Sequence, residues 1–260
     1  MILDDFDSDP DAIINTNLTV EKINDFPKIG VSWFSKRLFD KYIEILNPKK
    51  IGEIASGNGK SPVYEIDYKG VKIALFMAKV GAPICVMGYE ELLVMGLEKL
   101  VLFGTCGVLD KEIEDCSIII PTSAIRDEGT SYHYMSASEE IVVNEKYVEL
   151  FEEVLNEHNY SHVKGKVWTT DAPYRETRDK MKKRKEQGCV CVDMECASMA
   201  AVAKFRNKDL FQFFYAADNL DSTNWDVRSL GKDIKLDEKE KMVLLALELA
   251  KRISEQDEKV

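Results

Sequence analysis

The sequence predicts an α/β fold: a single domain whose mixed central sheet is flanked by helices. Two observations carry this. Short apolar, strand-like runs alternate with helical patterns along the whole 260 residues. No Pro/Ser-rich linker, internal repeat or low-complexity tract divides the chain. The domain is expected over 28–260. Residues 1–27 are acidic, lack a strong helical period, and read as an N-terminal arm reaching a neighbouring copy.

The elements follow in order. Residues 64–68 and 71–77 form a hairpin about the Lys69-Gly70 turn. After Gly81-Ala82-Pro83, apolar positions at helical spacing (Ile84, Met87, Leu92, Met95) predict a helix over 84–97. Residues 99–103 read as a buried strand ending at Gly104, so Gly104-Thr105-Cys106-Gly107 is expected as a tight turn at its exit. A short strand over 117–121 precedes a polar, aromatic loop, Arg126 to Tyr134. An amphipathic helix over 144–158, a strand over 163–169 and a basic helix around 176–187 come next. The run 189–192 leads into a small-residue helix, 210–215 is a further buried strand, and a long amphipathic helix covers 238–254.

Composition narrows the function. With 45% hydrophobic and 31% charged residues the chain can bury a sizeable core. It has no apolar run of membrane-spanning length, and its first residues do not form a secretory signal. A net charge of −11 opposes non-specific binding to nucleic acid or anionic membranes, though not to a small phosphate. Six cysteines without a CxxC pair fit reduced thiols in a cytoplasmic protein. Three histidines make a histidine-rich metal site improbable.

Cys189-Val190-Cys191-Val192-Asp193-Met194-Glu195-Cys196 is the most informative stretch, with two carboxylates flanking a methionine at a strand end. Ligands of open α/β sheets bind outside the carboxyl ends of the strands. A carboxylate there can accept hydrogen bonds from vicinal hydroxyls of a sugar, and Met194 offers the ring an apolar surface. Acidic residues placed for a helix macrodipole would give the same letters. Gly104 to Gly107 could bring backbone amides and the Thr105 hydroxyl close to an anion, or could be an ordinary turn. In Trp168 to Arg178, Tyr174 can stack on a planar ring and Glu176 or Arg178 can read its edge. Asp218, ending the strand 210–215, is either a helix cap or a partly desolvated general acid.

In this order, Gly81-Ala82-Pro83, Gly104-Thr105-Cys106-Gly107, Asp193-Met194-Glu195 and Asp218 resemble the nucleoside phosphorylase family, which contains the bacterial purine nucleoside and uridine phosphorylases. The resemblance spans roughly 28–225 and implies one α/β domain with a distorted central sheet. It also implies a homo-oligomer whose active sites borrow residues from a neighbour. Glu195, ionised, would bind the ribose 2′- and 3′-hydroxyls, and Met194 would pack on the sugar. Gly30, Arg37 and Thr105 would contact phosphate, Tyr174, Glu176 and Arg178 would meet the base, and Asp218 would protonate a departing purine. The implied reaction is attack of inorganic phosphate on C1′, giving free base and ribose 1-phosphate, with no metal or organic cofactor. A nucleosidase of the same fold, with water as nucleophile, is the alternative, and a non-catalytic nucleoside-binding protein is a third reading.

Three departures mark the chain. Leu102 stands where family phosphorylases usually carry an arginine, and the Gly-Asp-Pro phosphate loop reads Gly30-Val31-Ser32-Trp33-Phe34-Ser35-Lys36-Arg37. No histidine precedes His133 to reach a neighbour's sugar. Base cues are mixed: Arg126 to Tyr134 and Glu176-Thr177-Arg178 resemble the uridine enzymes, whereas Asp218 resembles the purine ones.

Overall fold

The computed structural model describes residues 2–57, 59–231 and 234–257. Among these, ten strands form one mixed sheet: β1 (Ile29–Trp33), β2 (Lys49–Ser56), β3 (Gly59–Tyr68), β4 (Val71–Met77), β5 (Lys99–Val108), β6 (Ile118–Asp127), β7 (Glu140–Val142), β8 (His162–Thr170), β9 (Cys189–Asp193) and β10 (Asp209–Asn219). The helices are α1 (Lys36–Leu46), α2 (Ala82–Met95), α3 (Val148–Glu157), α4 (Arg178–Glu186), α5 (Cys196–Phe205) and α6 (Leu236–Asp257).

Alternation along the strands fills a core on each face. Val31, Trp33, Val101 and Phe103 point to one side, against Phe39 of α1, Phe151 of α3 and Leu245 of α6. Ala74, Phe76, Leu100 and Leu102 point to the other, against Val86 and Leu92 of α2 and Met199 and Val202 of α5. Leu102 is therefore a core residue. The predicted helix over 144–158 starts only at Val148, because Asn144 has another task. Its Nδ2 donates to the carbonyls of Pro121 and Gln212, and its Oδ1 accepts from the Gln212 amide, joining two strands.

The sheet curls on itself around β5. The strand order runs β10-β6-β8-β9-β5-β1-β4-β3-β2, and β10 pairs with β5 as well, closing a ring of five strands. β5 runs parallel to β10 along one edge from Lys99 to Val108. Along the other edge it leaves β1 after Phe103 and takes up antiparallel β9 only at Gly107. Residues 104–106 thus have no strand neighbour on that side, and a crevice opens there.

This corrects the expected turn: Gly104 to Gly107 lies inside an extended strand. The glycines serve close approach instead. A Cβ on Gly104 would meet the Phe34 ring at 2.8 Å, and one on Gly107 would meet Leu220 at 2.6 Å and Asp218 Oδ1 at 3.2 Å. Residues 2–27 contain two short 3-10 turns and contact their own chain. Phe6 packs edge-on against Phe205, Arg206 donates to the Pro10 carbonyl, and the Ile23 amide donates to the Met95 carbonyl.

Candidate active site

A cavity of about 750 Å³ occupies the crevice beside β5. Its lining comes from six places in the chain: Phe34 after β1, Val80 after β4, Thr105 to Gly107 of β5, the 173–181 segment, Val192 to Glu195, and Asp218 with the loop that follows. Antiparallel pairing sets Val192 opposite Gly107, so the residues that follow it, Asp193 to Glu195, come to the crevice beside Thr105. A register shift at Ala217 brings Asp218 opposite Gly107. Such a bulge re-aims the side chains beyond it, and here Asp218 lines the cavity.

The two carboxylates of the Asp-Met-Glu run have different work. Asp193 holds the turn into α5: it accepts from Thr169 Oγ1 at 2.6 Å and from the amides of Glu195 at 2.9 Å and Cys196 at 2.7 Å. The macrodipole alternative thus describes Asp193 in part. Glu195 lines the cavity and accepts from the Gly81 amide at 2.5 Å. Gly81 has φ +106°, a conformation that suits glycine, and precedes α2. Burial pushes Asp193 above the usual carboxylate range against its three hydrogen bonds, and burial, then the charge of Asp193, pushes Glu195 above it. Both effects work against the charged form expected of Glu195, and a positive charge arriving beside it would favour that form.

Asp218 is 8% exposed and accepts from the Trp225 indole Nε1 at 2.7 Å. Burial raises its pKa, against the Trp225 hydrogen bond and the charge of Arg228. Glu176, across the cavity, is pushed up to about 7 by burial and then by the charge of Asp218. The sign of the linkage is set by that rise. The neutral carboxyl favours the fold fully below about pH 4.5, the ordinary value, and its contribution is lost as pH rises through about 7. Glu176→Gln should therefore stabilise the protein above pH 7 by on the order of 1 kcal/mol, with the gain vanishing below about pH 4.5. Thermal unfolding of both proteins at pH 4.5 and 7.5 checks this; an equal difference at the two pH values would count against the buried charge.

Two expected phosphate contacts, Gly30 and Arg37, sit elsewhere. Gly30 is the second residue of β1, where a Cβ would meet Leu97 at 3.0 Å and Phe76 at 3.1 Å, so it is a core position. Arg37 lies exposed on the first turn of α1, does not line the cavity, and is close enough to Lys239 of α6 to add to the lowering of that residue's pKa by burial. Phe34 occupies the site's edge instead. The loop from Arg126 to Tyr134 is also absent from the lining: the Arg126 guanidinium is buried on Ser131, Ser138 and the carbonyls of Met135 and Ser136. That guanidinium holds its own loop together.

Thr105 is exposed to the crevice and Met194 is half-buried beside it. Tyr174 sits on the rim with 98% of its surface exposed, so its ring meets nothing deep in the cavity. Arg178 lines the cavity and donates to the carbonyls of Ser222 (3.0 Å) and Thr223. Trp225 was not among the expected residues. The available signal was an aromatic residue alone in a polar run, Asp221-Ser222-Thr223-Asn224-Trp225-Asp226. Among the described residues, no group of three or more His, Cys, Asp and Glu side chains is placed to hold a metal, and no helix is long and apolar enough to cross a membrane.

The chain is similar to a guanosine phosphorylase of Halorubrum lacusprofundi, 26% identical over 153 residues that make up 58% of this chain and 63% of that one. It thus spans a little under two thirds of the length of such curated relatives. Its fold matches a uridine phosphorylase of Vibrio fischeri with a TM-score of 0.75 at 18% identity, covering 89% of this chain and 95% of the other. An AMP nucleosidase of Bacteroides thetaiotaomicron matches with a TM-score of 0.73 at 16% identity, covering 91% and 92%. The sequence profile of the Phosphorylase superfamily matches residues 28–254, nearly the whole of the single α/β domain and every element that lines the cavity; the chain belongs to that superfamily.

Proposed function

We propose that the protein is a nucleoside phosphorylase that cleaves a purine nucleoside, with inorganic phosphate as co-substrate and no cofactor. The observation that carries this is one cavity bringing together three things. They are a buried carboxylate beside a methionine (Glu195, Met194), a hydroxyl on an unpaired strand edge (Thr105), and a facing carboxyl pair (Asp218, Glu176). In this reading Glu195 binds the ribose 2′- and 3′-hydroxyls and Met194 packs on the sugar. Phosphate enters beside Thr105 and attacks C1′. The C1′–N bond breaks with its electron pair going to the base, which takes a proton from Asp218. Glu176 accepts a ring N–H of the base, Arg178 fixes the wall of that end, and Tyr174 covers it from the rim. The 26%-identical guanosine phosphorylase favours a 6-oxopurine, which carries such an N–H.

Hydrolysis is the second reading, and the charge of the lining favours it. Four carboxyl groups (Glu176, Asp193, Glu195, Asp218) and one guanidinium (Arg178) line the cavity, a poor setting for a phosphate dianion and a good one for water. Incubation with guanosine, inosine and uridine, with and without phosphate, separates the two. Base release that needs phosphate and yields ribose 1-phosphate supports phosphorolysis. Equal turnover without phosphate overturns it in favour of the nucleosidase.

A homo-oligomer with shared sites fits the exposed apolar rim of Val80 (63%), Tyr174 and Trp225 (60%), which a second copy would cover. Light scattering at micromolar concentration tests it, and a monomer would refute it. The six free, buried cysteines suit a reducing compartment such as the cytoplasm.

A further inference from the structure

We propose that Trp225 is a positioning residue for Asp218: its indole N–H holds one carboxyl oxygen so that the other faces the leaving base. The proposal rests on the reading of Asp218 as the group that gives the base its proton.

Of the three tryptophans, Trp33 and Trp168 are at most 1% exposed and belong to the cores, whereas Trp225 is 60% exposed and lines the cavity. Its Nε1 lies 2.7 Å from Asp218 Oδ2. An indole can only donate, so this bond fixes which oxygen stays an acceptor and leaves Oδ1 to carry a transferable proton. An unheld carboxyl would rotate between equivalent poses.

The loop that carries the indole is fastened at both ends. Asn219 and Asp226 exchange backbone hydrogen bonds at 2.9 and 3.2 Å, and the Asn219 side chain accepts from the Asp221 amide at 2.8 Å. Arg178 donates to the carbonyls of Ser222 and Thr223, and Arg228 donates to that of Ile113 at 2.7 Å. Arg178 thereby gains a role beyond base contact, since it ties α4 to the Trp225 loop.

The charged groups facing Asp218 are few. Glu176 approaches from the segment before α4, and Arg228 and Asp226 come from the loop itself. β5 presents only Gly107 there. The Arg228 guanidinium is turned to backbone carbonyls and the Asp226 carboxylate, so it acts on Asp218 through charge rather than contact. Donation by Trp225 to the carboxylate opposes the effect of burial, which keeps Asp218 able to both give and regain its proton. In the step itself the proton moves from Asp218 to the base as the glycosidic electron pair moves onto it. The resulting carboxylate is received by the waiting N–H.

Trp225→Phe keeps a ring in place and removes the donor. With a purine nucleoside, kcat should fall about 10- to 100-fold, the usual effect of deleting a hydrogen bond to a charged group. The pH limb governed by Asp218 should move to higher pH, and adding Trp225→Phe to Asp218→Asn should cost little more. A role only in packing would leave the limb in place and give additive losses, which would overturn the proposal. Fluorescence of the wild-type protein without substrate supplies an independent reading. The exposed indole should show a pH step that Asp218→Asn removes. The absence of that step also overturns the proposal. A step without turnover of any nucleoside would keep the Trp225–Asp218 bond and sink the functional reading alone.

Discussion

Glu195→Ala should lower kcat/KM on every nucleoside the protein cleaves by roughly 10²-fold or more, the scale set by removing one electrostatic partner of a developing charge in a dry site. The reason lies in the state of the carboxyl before substrate arrives. Glu195 is 7% exposed, faces Asp193, and is raised in pKa by burial and by that neighbour. Its negative charge is disfavoured in the empty cavity and favoured once the sugar becomes cationic. The interaction therefore strengthens toward the transition state, where it acts on rate rather than on affinity alone. Two consequences can be measured. The acid limb of kcat should lie above the ordinary glutamate range, because Glu195 must ionise. And Glu195→Ala should unfold at a temperature close to wild type at neutral pH, since a group whose folded pKa is raised adds least to stability there. Purine and pyrimidine nucleosides should suffer alike, because the sugar is common to both. Unchanged turnover in this variant would remove the sugar-binding assignment.

The fold was legible where periodicity is local. The hairpin of β3 and β4, the helices α2 and α6, and the strands β8 and β10 lie close to where their apolar spacing puts them. What stayed hidden is long-range. Nothing in Lys99 to Val108 says that this strand changes partners from β1 to β9 halfway, and its glycines suggest the opposite, a turn. The glycines are there because Phe34 and Leu220, each about 70 or more residues away, come within reach. Arg126 lies in a polar loop that could wall a pocket, yet its guanidinium donates within that loop, to Ser131 and to the carbonyls of Met135 and Ser136. Glu195 and Asp218 do line the cavity, as expected of carboxylates at the ends of apolar strands in an α/β sheet. Trp225 carries no such signal, since its bond to Asp218 forms only when the loop after β10 folds back through the Asn219–Asp226 pair.

Asp218→Asn should separate bases where Glu195→Ala does not. A purine departs best when its imidazole nitrogen takes a proton, whereas uracil can leave as an anion stabilised by hydrogen bonds. Loss of the proton donor should cost purine nucleosides about 10²- to 10⁴-fold, the range of general acid–base assistance, and largely spare uridine. Asparagine suits the comparison because its amide oxygen can still accept from Trp225 Nε1, so the loop that ends at Trp225 keeps its anchor. The site supports the role on two counts. Burial raises the pKa of Asp218, making a neutral carboxyl more available, and the charge of Asp226 adds to that rise. The test compares kcat/KM for inosine and uridine in the two proteins, with circular dichroism to confirm the fold. Equal losses on both substrates would make Asp218 a structural anchor for Trp225. No loss on inosine would mean that the base leaves without its proton, and the purine reading would fall with it.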